Sequence, residues 1–195
     1  MRTLLYLHGF LSSPSSAKAQ QTASWLAKKH PDITNLCPSL SPYPDRTQQQ
    51  LDQIMAEQNR TGQSVGVIGS SLGGFWATYL VETYDVKAVL VNPSVKPYDM
   101  ISTLYGQTLS NYYTADRYQM LPEHAAQLHA ADYPTPKRPE RYWLLAQKGD
   151  ETLDYRLAAE KYRACRVLIE EGGDHSFQGY EEKLPEILNF LLPVE

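Results

Sequence analysis

Short apolar runs of strand length alternate along the chain with segments of helical period, and that alternation admits few folds. The runs fall at 3–7, 33–37, 64–68, 86–91, 142–146 and 167–170, separated by Gly, Pro, Asn or Asp. Helices are predicted over 16–29, 47–59, 72–83, 155–164 and 180–192. In the first, Ala19, Ala23, Trp25 and Leu26 share one side and Pro31 ends the pattern; in the second, Leu51, Ile54 and Met55 fall at helical spacing. Apolar strands joined through helices lie parallel, because a parallel neighbour is reached only by a crossover, and helices then cover both faces. The expected architecture is α/β: a three-layer sandwich around a mostly parallel six-stranded sheet, one domain over residues 1–195.

The rhythm breaks between 94 and 138. Six of the fourteen tyrosines lie there, Tyr98, Tyr105, Tyr112, Tyr113, Tyr118 and Tyr133. This stretch is read as an insertion with short helices rather than a core layer. It serves either as a small lid lining a pocket, the favoured reading, or as a dimerisation surface; tyrosine, apolar with a polar tip, suits both.

Eighteen basic and twenty-two acidic side chains give a net charge of −4, so the chain lacks the basic footprint of a nucleic-acid or anionic-membrane partner. No run reaches the roughly 18–20 apolar residues of a membrane span, and residues 1–8 carry no features of a secretory signal, so a cytoplasmic location is expected. Cys37 and Cys165 have no metal-ligand spacing around them and are expected to be small buried hydrophobes. No cofactor and no metal are expected.

Ligands of open parallel sheets bind beyond the carboxyl ends of the strands. After the third run stands Gly69-Ser70-Ser71-Leu72-Gly73, a G-x-S-x-G match between strand and helix, the context that a nucleophile elbow requires. Gly69 and Gly73 let the chain pass close to itself around a strained Ser71. Serine needs a general base, and the base an orienting acid. His30, His124 and His129 are read as surface residues and His8 as a structural one. His175, after the sixth run in a glycine-rich loop, is the expected base. Beyond the fifth run stand Asp150, Glu151 and Asp154; Asp150, directly after Gly149, is the favoured acid, whereas Asp154 suits the N-cap of the next helix. Asp174 reads as a turn residue. Backbone N–H groups of Leu72 and Phe10, the latter in His8-Gly9-Phe10, are the expected oxyanion donors.

In the chain order Ser71, Asp150, His175, this constellation resembles the α/β-hydrolase superfamily. The segments LLYLHGFLSSPSSAK, VGVIGSSLGGFWATYL, VNPSVKPYD and IEEGGDHSF are similar to those of small bacterial YqiA-type esterases, over nearly the whole chain. The resemblance implies a compact hydrolase with six strands instead of eight, a lid reduced to 94–138, and esterase or thioesterase activity on acyl substrates. It carries nucleophile, acid and base onto Ser71, Asp150 and His175.

The function expected from the sequence is a serine esterase that hydrolyses short-to-medium acyl carboxylic esters through an acyl-enzyme, with a small-molecule ester or thioester as its partner. An acyl-CoA thioesterase would use the same groups, with Lys96, Lys137 and Arg138 as candidates for the CoA phosphates. A hydrolase-fold binding protein without turnover is the reading from a different class.

Overall fold

The computed structural model describes residues 2–193. In chain order its strands are β1 (Arg2–Leu7), β2 (Ile33–Leu36), β3 (Ser64–Ser70), β4 (Lys87–Val91), β5 (Thr108–Ser110), β6 (Arg117–Gln119), β7 (Tyr142–Gln147) and β8 (Arg166–Glu170). Six of them form one parallel sheet in the order β2-β1-β3-β4-β7-β8, while β5 and β6 pair as a separate antiparallel hairpin. The helices are α1 (Ala17–Lys29), α2 (Pro44–Arg60), α3 (Leu72–Thr83), α4 (Pro97–Ser102), α5 (Pro122–Ala130), α6 (Tyr155–Lys161) and α7 (Tyr180–Leu191).

Successive strand residues point to opposite faces, so the apolar runs feed two cores at once. Leu5, Leu7, Val67, Leu90 and Leu144 pack with Leu51 and Met55 of α2, Phe75 of α3 and Ala158 of α6. Leu4, Tyr6, Ile68, Val89, Trp143 and Leu145 pack with Leu26 of α1 and with Leu184 and Ile187 of α7. This is the expected three-layer α/β sandwich around a six-stranded parallel sheet.

Most boundaries fall within a residue or two of expectation; α6 ends at Lys161, three residues before the expected 164. Pro44 starts α2 three residues early, since proline at a first helical position loses no hydrogen bond there. Strand β3 runs on to Ser70, one residue short of the elbow.

The insertion holds short helices and a hairpin apart from the main sheet, and part of it is nonetheless buried. Ile101, Met120, Ala125, Leu128 and Ala131 are buried in the same cluster as α2 and α3. Its elements run only three to nine residues, too short for a period to show in sequence. A salt bridge of 2.8 Å between Lys161 and Asp132, both side chains under 10% exposed, fastens its end to α6.

Candidate active site

The sheet order brings the loops after β1, β3, β4, β7 and β8 to one edge. There Ser71 links β3 to α3 at φ 56° and ψ −121°, a conformation that residues bearing a Cβ rarely adopt. Hydrogen bonds hold it: its N–H donates to Val91 O at 3.1 Å, and its carbonyl accepts the N–H groups of Gly74 at 2.9 Å and Ser94 at 3.0 Å. The flanking glycines are required by contact. A Cβ on Gly69 would collide with the Gly73 carbonyl, and one on Gly73 with the carbonyl of Leu7 in β1.

His175 and Asp150 arrive from the β8 and β7 loops. His175 Nε2 lies 3.1 Å from Ser71 Oγ, and its Nδ1 lies 2.9 and 3.0 Å from the two Asp150 carboxylate oxygens. The Asp150 side chain is 2% exposed and that of His175 26%. Burial would raise the Asp150 carboxyl, but hydrogen bonds from His175 and from the N–H groups of Leu153 and Thr152 hold it below the usual carboxylate value. Asp154 takes the other course weighed for it: it caps α6, accepting the Arg156 N–H at 2.9 Å, and Arg156 holds its carboxyl at about 2.

The loop after β1 crosses above Ser71, since a Cβ on Gly9 would stand 3.2 Å from the serine Cβ. The Phe10 N–H has no hydrogen-bond partner among the described residues, and the N–H of Leu72, first of α3, has no carbonyl of its own helix to meet. His8 is buried beneath this loop. Its Nε2 accepts the Leu40 N–H at 3.0 Å, which leaves the proton on Nδ1 to donate to Gly9 O at 2.9 Å. Burial lowers its pKa.

His124 corrects the surface reading given to it. It is buried, and its Nδ1 accepts the Leu121 N–H at 3.0 Å, closing the first turn of α5 behind Pro122. His129 is exposed beside the Tyr98 ring, and His30 packs against Trp25. Cys37 and Cys165 are free and half-buried against the two cores, and burial pushes each thiol up to about 11.

Two supporting residues escaped sequence reasoning. Asn92, just past β4, donates from Nδ2 to the carbonyls of Asp174 (2.9 Å) and His175 (3.2 Å) and accepts the Gln147 N–H on Oδ1 at 3.0 Å. Gln147, the last residue of β7, accepts the N–H of Gln178 at 2.8 Å and donates to its carbonyl at 2.8 Å. Both are buried and tie the histidine loop to the sheet. Asn92 stands at φ 42°, and an Asn-Pro pair closing a strand was the available signal.

One cavity opens on the serine and a second lies beside Phe10 and Leu72. The larger, about 520 Å³, opens between Ser71, His175, Lys18 and Gln178, with Tyr112 and Tyr113 of the insertion at its side. The smaller, about 20 Å³, lies beyond Phe10 and Leu72 and is closed by Leu40, Trp76 and Tyr118. A separate cavity of about 740 Å³, bordered by Arg2, Asp85 and Arg141, sits at the opposite edge of the sheet from Ser71. The cations considered for CoA are not in the serine cleft. Arg138 donates to Tyr84 O at 3.1 Å and the Lys137 N–H to Glu82, both at the far end of α3, and Lys96 is exposed. Among the described residues no group of three or more His, Cys, Asp or Glu side chains is placed to hold a metal ion.

A family model described as "Uncharacterised protein family (UPF0227)" matches residues 3–192. A "UPF0227 protein" of Shewanella woodyi is 25% identical over 191 residues, covering 96% of this chain and 98% of that one. Among solved structures, Est1E of Butyrivibrio proteoclasticus superposes with a TM-score of 0.70 at 12% identity, over 97% of this chain and 86% of its own. The monoacylglycerol lipase of Paleococcus ferrophilus gives 0.66 at 13% identity, over 96% and 94%. Mouse alpha/beta hydrolase domain-containing protein 10 gives 0.65 at 14%, over 96% and 88%. At these identities the likeness is one of fold, and the fold is that of the α/β hydrolases.

Proposed function

The chain belongs to the uncharacterised protein family UPF0227, and from that premise and the geometry around Ser71 we propose that it is a serine esterase acting on short acyl carboxylic esters. One observation carries the reading: a single imidazole reaches Ser71 Oγ through Nε2 while its Nδ1 rests on a buried, ionised carboxylate. That arrangement fixes the tautomer able to accept the serine proton.

His175 takes the proton as Ser71 Oγ attacks the acyl carbon. The negative oxygen turns to the N–H groups of Phe10 and Leu72, the latter at the positive end of α3. The C–O bond to the alcohol then breaks, and the alcohol leaves with the proton held on His175. A water, deprotonated by the same ring, attacks the acyl-enzyme and releases the acid and Ser71. Asp150 holds the ring in place and balances its charge at each proton transfer.

The same stereochemistry supports a separate use for each cavity. A leaving group that must collect a proton from His175 Nε2 lies in the larger cleft that His175 borders. The acyl group takes the remaining side, the small cavity of mixed lining next to Phe10 and Leu72. Its volume of about 20 Å³ holds roughly one water-sized group, which favours an acetyl methyl over long chains.

Hydrolysis of p-nitrophenyl esters from acetate to palmitate, beside the matching acyl-CoA series, tests this. The expected result is a preference for the shortest esters and a loss on the order of 10⁶-fold in turnover for Ser71→Ala. Turnover retained in that variant would refute the assignment. A fluorophosphonate probe that leaves Ser71 unmodified would point instead to a binding protein.

A further inference from the structure

The wall of the larger cleft carries one full charge. Lys18, in the first turn of α1, is the sole lysine or arginine among the described residues lining it, and no aspartate or glutamate lines it. Apart from the His175 ring, the other polar residues there are neutral, among them Ser12, Ser16, Gln21 and Gln178. In a chain whose net charge is −4, a cleft with one cation and no acidic wall residue is selective for the sign of what enters.

Lys18 is also underused by the protein itself. Its Nζ donates to the carbonyl of Ser176 at 2.9 Å, and among the described residues it forms no ion pair. An ammonium carries three donor hydrogens, so two are left over at the cleft. Burial brings its pKa down to about 8, against the fields of Asp174 and Asp150, which favour the charge without pairing with it. A half-buried cation so placed gains most from an anion arriving with the ligand.

Lys18, Ser71 and His175 line the same cleft. Ser176 directly follows His175, so the ammonium rests on the loop that delivers the base. We propose that Lys18 is the anion-binding element of the leaving-group subsite, so that the substrates are short-acyl esters whose alcohol bears a carboxylate or phosphate close to the ester oxygen. This rests on the serine-esterase reading and deepens it. It also separates these substrates from acyl-CoA, whose phosphates stand a whole pantetheine arm from the thioester.

Acetylated phenols provide the test, with phenyl acetate as the neutral member, 2-, 3- and 4-acetoxybenzoate as carboxylates at graded distance, and 3-acetoxyphenyl phosphate as the phosphate. Each is compared between wild type, Lys18→Gln and Lys18→Arg, so that intrinsic differences in leaving-group reactivity cancel within each ester. The expected result is that Lys18→Gln lowers kcat/KM for at least one anionic ester about tenfold more than for phenyl acetate, mainly through KM, and that Lys18→Arg restores most of the difference. Which ester responds distinguishes carboxylate from phosphate.

Equal losses on neutral and anionic esters would overturn the proposal and leave Lys18 as a support of the histidine loop. If wild type turns over phenyl acetate with no Lys18-dependent preference for an anion, the subsite fails while the esterase stands. If Ser71→Ala matches wild type on every ester, the esterase reading fails and takes the subsite with it.

Discussion

Four non-glycine residues among those described have positive φ: Leu11 at 52°, Ser71 at 56°, Asn92 at 42° and Phe177 at 62°. All four stand in loops around Ser71 and His175, so backbone strain is concentrated where groups must be held in one geometry. Of these, Ser71 was legible because glycines flank it in a recognisable turn. Asn92 was not, since its value comes from carbonyls of Asp174 and His175 that lie far along the chain. Asp150 was chosen over Asp154 by local context, and the two do separate: one meets His175 and the other caps a helix. Asp150→Asn should fold and lose about 10⁴ in turnover, because the amide no longer favours the useful tautomer. The same substitution has a signature in stability. The Asp150 carboxyl sits below its usual value, near 3.9 for an unfolded chain. Its contribution is therefore fully present above that pH and is lost as pH falls through the folded value. Urea midpoints should show wild type ahead of Asp150→Asn at pH 7, with the gap closing below about pH 4.

Elements of the sheet were readable because each apolar run is long enough to declare its period and is punctuated by Gly, Pro or Asn. The insertion was not, since α4, the β5–β6 hairpin and α5 are each too short to repeat a pattern, and burial there is decided by contacts with α2 and α3. The test is a core truncation. Leu128→Ala in α5, fully buried, should cost about 2–5 kcal/mol in urea unfolding, the range for a buried leucine in a packed core. A cost within about 0.5 kcal/mol, usual at a surface, would return the insertion to the periphery. Docking of α3 on β1 depends on Gly73, whose Cβ would meet the Leu7 carbonyl. Gly73→Ala should cost about 3 kcal/mol or more, because backbone rather than a flexible side chain must yield. Gly62, at φ 65° with open space around its Cα, calibrates conformation alone, and Gly62→Ala should cost only about 1 kcal/mol. Similar losses for the two, by thermal or urea unfolding, would mean that α3 does not seat on β1 as described.

Across the whole molecule, the site exists only when distant parts of the chain meet. Ser71, Asp150 and His175 come from loops after three strands, and the loop of His8, Gly9 and Phe10 follows a fourth. The parallel topology makes that meeting unavoidable, because every crossover returns the chain to place the next carboxyl end at the same edge. The fold and the meeting of Ser71, Asp150 and His175 at one edge were therefore legible together, whereas cavity sizes and the place of Lys18 depend on how the loops fold over that edge. A tetrahedral adduct at Ser71 would engage the elbow, the loop of Phe10 and the histidine loop at once, and none of these contacts survives unfolding. A small alkylboronic acid, which bonds reversibly to an activated serine oxygen and presents a negative tetrahedral centre, should therefore stabilise the protein in proportion to its occupancy. At a concentration about 100 times its Kd the gain is about 2.7 kcal/mol. For a chain of 195 residues that corresponds to a rise of roughly 5–10 °C in Tm. Ser71→Ala should show no shift, for want of the oxygen, and His175→Ala a much smaller one, for want of the base that activates it. Methylboronic acid should act at lower concentration than octylboronic acid, since the cavity beside Phe10 and Leu72 has about 20 Å³. A shift of equal size in Ser71→Ala would place the boronate elsewhere and remove the claim that these loops close around one reacting centre.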